Sequence, residues 1–181
     1  MRLFAGLALP DEVKDDLARA ARALEPSIPS ARWVPRENYH ATVSFLGGVE
    51  DERVAEVTEA LRAAAATVAR GEARVDGLGA FPSSRRARVV WAGLADPDAV
   101  IAQVAEAVLA ALEGIGFPRE QRAFHGHVTI ARLKVPVSVS LDLARGPAGR
   151  VPVAALTLFR SHLGRPAPRY EELAAFPLRG G

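Results

Sequence analysis

The 181 residues contain no cysteine, which excludes disulfides and every metal site built on thiolate, and nothing in the composition marks the chain for export. Aromatic residues make up only 6%, so composition alone does not locate a base-stacking surface. Phosphate-cradling loops are missing as well. The stretches "GLGAF" and "GIGF" have neither the lysine of a nucleotide-binding loop nor the dinucleotide fingerprint, and no G-x-S-x-G elbow occurs. No apolar run is long enough to span a bilayer. The first such run, Leu3 to Leu9, stops at Pro10 and an acidic cluster, and reads as a buried strand rather than a leader. What remains is an ordinary soluble composition, half apolar and a quarter charged, long enough for one well-buried domain and expected in the cytoplasm.

The net charge of +2 hides an asymmetry. Residues 1–116 carry 13 basic and 17 acidic groups, whereas residues 117–181 carry 10 basic and 4 acidic. An excess of cations on the C-terminal side fits an anionic partner, although arginine outnumbers lysine 21 to 2, a bias that genome composition also produces.

Periodicity divides the chain into strands and helices. After the strand Leu3 to Leu9, Val13, Leu17, Ala21 and Leu24 recur at helical spacing behind an acidic first turn. A short extended segment at Arg32 to Val34 leads to a strand beginning at His40. Residues 50–68 then form an amphipathic helix through Val57, Leu61 and Ala65. Ala73 to Phe81 and Ala87 to Leu94 read as a hairpin with the basic loop "PSSRRA", and a third helix starts at Asp96. A strand at His127, a Pro- and Gly-rich connection from Pro136 to Pro152, and strands at Val153 to Phe159 and Tyr170 to Leu178 complete the chain. Strict β-α-β alternation is lacking, so the expected class is α+β with largely antiparallel sheets.

Two of the four histidines stand in one pattern, "HATVSFLG" at His40 and "HVTIARL" at His127. With five threonines in the chain, two such hits by accident are expected in well under about one chain in a hundred. Side chains alternate along a strand, so His40, Thr42 and Ser44 share one face while Ala41, Val43 and Phe45 share the other. His127 and Thr129 likewise share a face, backed by Val128 and Ile130. Each run therefore offers an imidazole and a hydroxyl over an apolar anchor. Two imidazoles on one cleft suit general acid–base work near neutral pH, and two hydroxyls suit the non-bridging oxygens of a phosphate, so the set fits phosphoester cleavage without a metal.

The segments "RWVPRENYHATVSFLG", "ARVVWAGL", "FHGHVTIARL" and "LFRSHLGRPAPRYEELAAFPL" resemble the two-histidine phosphoesterases, and among them the RNA 2′,3′-cyclic phosphodiesterases, also called 2′-5′ RNA ligases. The likeness runs over nearly the whole chain. It implies a single bilobal domain over residues 1–181, with two mainly antiparallel sheets flanking a central cleft, helices outside, and one His-x-Thr strand from each lobe. It also implies hydrolysis of an RNA 2′,3′-cyclic phosphate end to a 2′-phosphate, with no cofactor and no metal, by a monomeric protein that binds RNA ends or related nucleotides and no membrane. By position, His127 is implied as general base, His40 as general acid, and Thr42, Thr129 and Arg132 as phosphate-binding. Strict alternation conflicts with the last of these, since it puts Arg132 on the Val128 and Ile130 face. The sequence departs from the usual family pattern at Ser44, at His125 and Gly126, and at His162.

Other readings stay open on the residues. The same site would act on a small cyclic nucleotide or a 2′-5′ oligonucleotide. His40, His125 and His127 are a candidate zinc triad, though no acidic residue lies near either run to orient an imidazole. The basic loop and C-terminal part fit a non-catalytic RNA-binding module, which leaves the repeated His-x-Thr pattern unexplained.

Overall fold

A computed structural model describes residues 1–121, 123–143, 145–164 and 167–180. Strands β1 (Arg2–Ala8), β2 (Arg32–Trp33), β3 (His40–Gly48), β4 (Gly71–Phe81), β5 (Ala87–Ala95), β6 (His127–Val137), β7 (Arg150–Val153), β8 (Ala155–His162) and β9 (Arg169–Pro177) alternate irregularly with helices α1 (Asp11–Leu24), α2 (Val54–Thr67) and α3 (Val100–Gly114). All nine strands join one antiparallel sheet in the order β7-β4-β5-β6-β3-β1-β8-β9, with β2 alongside β6. The two expected sheets are the two halves of this path. Their joint is a single residue pair, Ala41 with Val128, so each half is free to curl away from the other beyond it.

The helices follow their apolar stripes. In α1 the acidic residues Asp11 and Glu12 complement the positive end of the peptide dipoles, and Val13, Leu17, Ala21 and Leu24 are buried as their spacing requires. Helix α2 buries Val57, Leu61, Ala64 and Ala65 and packs against α3, β8 and β9. Helix α3 begins four residues later than its sequence pattern implies. Asp96 instead builds a turn, in which its backbone carbonyl accepts from Ala99 N and its Oδ2 from Ala102 N (3.0 Å). The core lies between the helices and one sheet face, through residues such as Ala5, Ala41, Val128, Ile130 and Leu158, all 0% exposed.

Strand β7 takes up the last three residues of the segment expected to be a Pro- and Gly-rich connection, together with Val153. It pairs with β4 at the edge of the sheet, where Pro152 opposite Glu72 removes no donor that a further strand needs. Strand β6 also continues through Pro136 to Val137. At the centre of β5 the Trp91 ring lies directly over Gly79, where a Cβ would sit 2.2 Å from it; the glycine is the space the indole occupies.

Candidate active site

The pair Ala41 and Val128 organises the site. Antiparallel pairing is two-fold symmetric about such a pair, and this one relates His40 to His127 and Thr42 to Thr129. Both anchors are fully buried on the helix side, so the two imidazoles and two hydroxyls emerge together on the opposite side. The symmetry reaches further along both strands. Gly6 pairs with Thr42 and Ala5 with Ser44, leaving Val43 as an extra residue in β3; Trp91 pairs with Thr129 and Val90 with Ala131, leaving Ile130 as an extra residue in β6. The two bulges occupy equivalent places and turn the residues beyond them to the other face.

Three expectations change as a result. Arg132, which alternation puts on the core face, lies with His127 and Thr129, because Val89, Trp91 and Gly93, its partners' row in β5, face one way. Phe45, expected to face away from His40, pairs with Phe4, whose ring lies 4.7 Å from the His40 ring, and is 72% exposed on the cleft. Ser44 correspondingly pairs with Ala5, a core residue, rather than sharing the His40 face.

A small cavity of about 60 Å³ is lined by His40, Thr42, His127, Thr129 and Arg132, together with Val34, Asn38, Phe45 and Tyr170. It opens beside a cleft of about 1000 Å³ that also takes in Phe81, Arg88, Phe124 and His125. All five residues singled out by motif and resemblance therefore border one space. Asn38 and Tyr170 carry no such motif. Tyr170 shares the cleft face only because β9 pairs with β8, and β8 with β1.

Both rings are held in the same way. His40 Nδ1 donates to the Asn38 carbonyl and His127 Nδ1 to the His125 carbonyl, each at 2.7 Å, two residues back along the chain. A carbonyl only accepts, so each neutral imidazole carries its proton on Nδ1 and presents a lone pair at Nε2. Thr42 Oγ1 donates to His40 Nε2 at 2.9 Å.

Aromatic rings surround both. Tyr170 meets His40 edge-on at 5.1 Å, with Phe4 and Phe159 on its other sides, while Phe81 meets His127 edge-on at 5.2 Å and Trp91 lies at 6.2 Å. Burial in this surround pushes His40 down to about 4, against the bond to the Asn38 carbonyl, which favours the charged ring; the charges of Arg132 and His127 push it down further. His127 is lowered by burial too, against its bond to the His125 carbonyl, which favours the charged ring, with the charges of His125 and Arg132 lowering it further. Burial thus favours the neutral form of both imidazoles.

Asn38 supports this arrangement through its side chain, whose Nδ2 donates to the Pro168 carbonyl at 2.7 Å and ties the turn ahead of His40 to the start of β9. Asn38→Ala is expected to cost about 1–2 kcal/mol of stability by losing a buried hydrogen bond. It should also lower kcat more than it raises KM, because the carbonyl that orients His40 loses its tether. A folded Asn38→Ala protein with unchanged kcat would remove the side chain from that role.

The remaining histidines stand apart from any metal cluster. His125 packs against Trp91 and His127 rather than converging with His40, and among the described residues no three His, Asp or Glu side chains gather as metal ligands. His162 ends β8 and pairs with Glu171 at 2.5 Å. No helix among the described residues is long and apolar enough to cross a membrane.

Comparison with known proteins agrees with this geometry. A family model described as LigT like Phosphoesterase matches residues 7–91. The chain is 34% identical to an RNA 2′,3′-cyclic phosphodiesterase of Aeropyrum pernix, covering 87% of this chain and 92% of that protein. It is 32% identical, over 98% of its own length, to an RNA 2′,3′-cyclic phosphodiesterase of Geobacillus stearothermophilus, and spans 57% of that protein's length. Among solved structures, a protein of Thermus thermophilus superimposes with a TM-score of 0.83 at 29% identity, with 99% of both chains covered. LigT of E. coli in complex with 3′-AMP gives 0.74 at 27% identity, covering 98% of this chain and 97% of that one. Identity above 30% across nine-tenths of a relative is a family relationship, and the chain belongs to the LigT-like phosphoesterases, the two-histidine group that its repeated strands resemble.

Proposed function

We propose that the protein hydrolyses the 2′,3′-cyclic phosphate at the end of an RNA strand to a 2′-phosphate, with His127 as general base and His40 as general acid. The observation that carries this reading is the pair of symmetry-related imidazoles, each anchored through Nδ1, at one cavity that Arg132 also borders. His127 Nε2 takes a proton from water as its oxygen bonds to phosphorus. The bond from phosphorus to O3′ breaks, and the proton on His40 Nε2 passes to O3′. Thr42 and Thr129 donate to the non-bridging oxygens, and Arg132 offsets their charge.

The low affinity of His40 for a proton makes its imidazolium a strong acid, and the anionic phosphate supplies the charge that lets it form. Thr42 Oγ1 turns from His40 Nε2 to the phosphate in the same event. With an RNA 5′-hydroxyl attacking phosphorus in place of water, and O3′ again leaving, the same site joins two strands through a 2′-5′ linkage, the reverse of cleaving such a linkage to a cyclic phosphate. The names of the relatives support RNA as substrate. Solved LigT complexes with 3′-AMP and NADP+ favour a second reading, a small nucleotide in the same cavity.

The test is hydrolysis, in EDTA, of a short RNA ending in a 2′,3′-cyclic phosphate beside the corresponding mononucleotide, with 2′- and 3′-phosphate products resolved. A 2′-phosphate formed from RNA at the higher kcat/KM is the expected result. Preference for the mononucleotide favours the second reading, and activity that returns only with added zinc overturns the metal-free scheme.

A further inference from the structure

Outside the cavity, one wall of the large cleft is cationic in a way the two-histidine chemistry does not use. Arg32 in β2 pairs directly with Arg132 in β6, and Arg132 pairs on its other side with Val89 in β5. Like charges placed opposite each other in neighbouring strands repel, and the pair persists here with no carboxylate between. Two residues beyond Arg132, Lys134 is exposed, and its carbonyl accepts from Arg88 Nη1 at 3.1 Å. Arg88 itself lines the cleft, and the turn just ahead of it, Ser84–Arg86, exposes Arg85 and Arg86.

Among the described residues none of these six cations meets an acidic side chain within ion-pair distance, whereas Arg119 on the α3 side of the same cleft is matched by Glu106 and Glu113. One side of the cleft is therefore neutralised internally and the other is left to a ligand. The basic groups form a row from Arg32, the strand neighbour of Arg132, to the β4–β5 turn, and Arg132 and Arg88 within it line the cleft. A single phosphate in the cavity has no need of that row.

We propose that this row, from Arg32 through Lys134 and Arg88 to Arg85 and Arg86, is a track for the backbone of a single-stranded RNA, engaging phosphates upstream of the terminal nucleotide. The proposal rests on the reading of the site as an RNA phosphodiesterase. It adds that the enzyme distinguishes a chain from a mononucleotide, and that it does so with this wall. A cation that neutralises a phosphate of a single strand releases counterions and contributes a slope of about −0.7 to log K against log salt.

The experiment compares wild type with an Arg32→Gln, Arg85→Gln, Arg86→Gln protein on an RNA octamer and on a mononucleotide, both ending in a 2′,3′-cyclic phosphate, across a salt series. The expected result is a loss of about tenfold or more in kcat/KM for the octamer at low salt, and a salt slope shallower by about 2. The mononucleotide should change by less than about twofold, because none of the three side chains supplies the reaction. Unchanged octamer kinetics would overturn the track. An equal loss on both substrates would overturn it as well, since the cations would then be serving the cavity.

Binding of an octamer ending in a plain 3′-hydroxyl, followed by fluorescence anisotropy, separates the two hypotheses. If wild type cleaves neither substrate yet binds this octamer with the steep salt slope that the triple variant loses, the phosphodiesterase reading fails and the track stands. If wild type cleaves the substrates and the two proteins bind the octamer equally, the reverse holds.

Discussion

His40→Ala and His127→Ala are each expected to lower kcat on a cyclic-phosphate-ended RNA by about 10²–10⁴-fold, the usual contribution of one general acid or base. The two losses should not multiply in the double variant, because the two imidazoles serve one transition state: proton removal from water and proton delivery to O3′ fall in the same step. KM should move little for either, since Thr42, Thr129 and Arg132 still border the cavity. The variants differ in their effect on the fold. His127 lies nearer the open cleft, whereas His40 fills a space among Phe4, Phe159 and Tyr170, so His40→Ala leaves a hole and His40→Gln is the better comparison. Melting curves of both variants beside the kinetics separate lost chemistry from lost structure. A folded His127→Ala protein that keeps a tenth or more of wild-type kcat would end the acid–base scheme.

The pattern that pointed to these histidines was legible because alternation along a strand is reliable over three residues. His-x-Thr needs no more than that, and both copies present their two groups on one face as expected. Beyond the threonine the rule fails at the same place in each copy. The extra residues are Val43 and Ile130, β-branched and apolar, ordinary strand residues with no glycine to announce a bulge. Strict alternation therefore misplaces Phe45 and Arg132, which are equivalent by the local symmetry. The resemblance associates Arg132 with the phosphate, but a periodicity argument has no means of doing so.

Other differences have similarly local causes. The β7 strand is hidden by Pro152 and Gly149, residues that argue against a central strand but are tolerated at an edge. Asn38 was beyond a sequence reading because its role depends on Pro168, far along the chain and joined to it only after β9 has paired with β8. The buried stripes of the helices and the first hairpin read correctly from periodicity, since each is settled by contacts within or next to the segment; only the start of α3 is displaced, by the turn that Asp96 builds.

The same burial that tunes His40 makes the fold sensitive to acid, and stability is expected to fall as the pH drops from about 6.5 to about 4. In the unfolded chain the ring takes up a proton through its ordinary value near 6.5, whereas in the folded protein it does so only near 4. Between these limits the unfolded state binds more protons than the native one, so the free energy of unfolding rises with pH. The contribution is complete above 6.5 and is lost on the way down to 4. At 1.36 kcal/mol per pH unit it amounts to about 3 kcal/mol at most. His127, shifted in the same direction, adds to it.

Paired carboxylates such as Asp15, held low by the guanidinium of Arg36, also lose stability in acid, but at lower pH and equally in a His40 variant. His40→Phe keeps a ring among Phe4, Phe159 and Tyr170 while removing the titration. Urea unfolding of both proteins between pH 4 and pH 7.5 should give the wild type the steeper slope above pH 4, so that it loses stability relative to the variant as the pH falls. Parallel curves would mean that His40 ionises as freely in the fold as outside it. A ring that did so would already be largely neutral above pH 6.5 without burial, and the cavity would then contribute nothing to its acid strength.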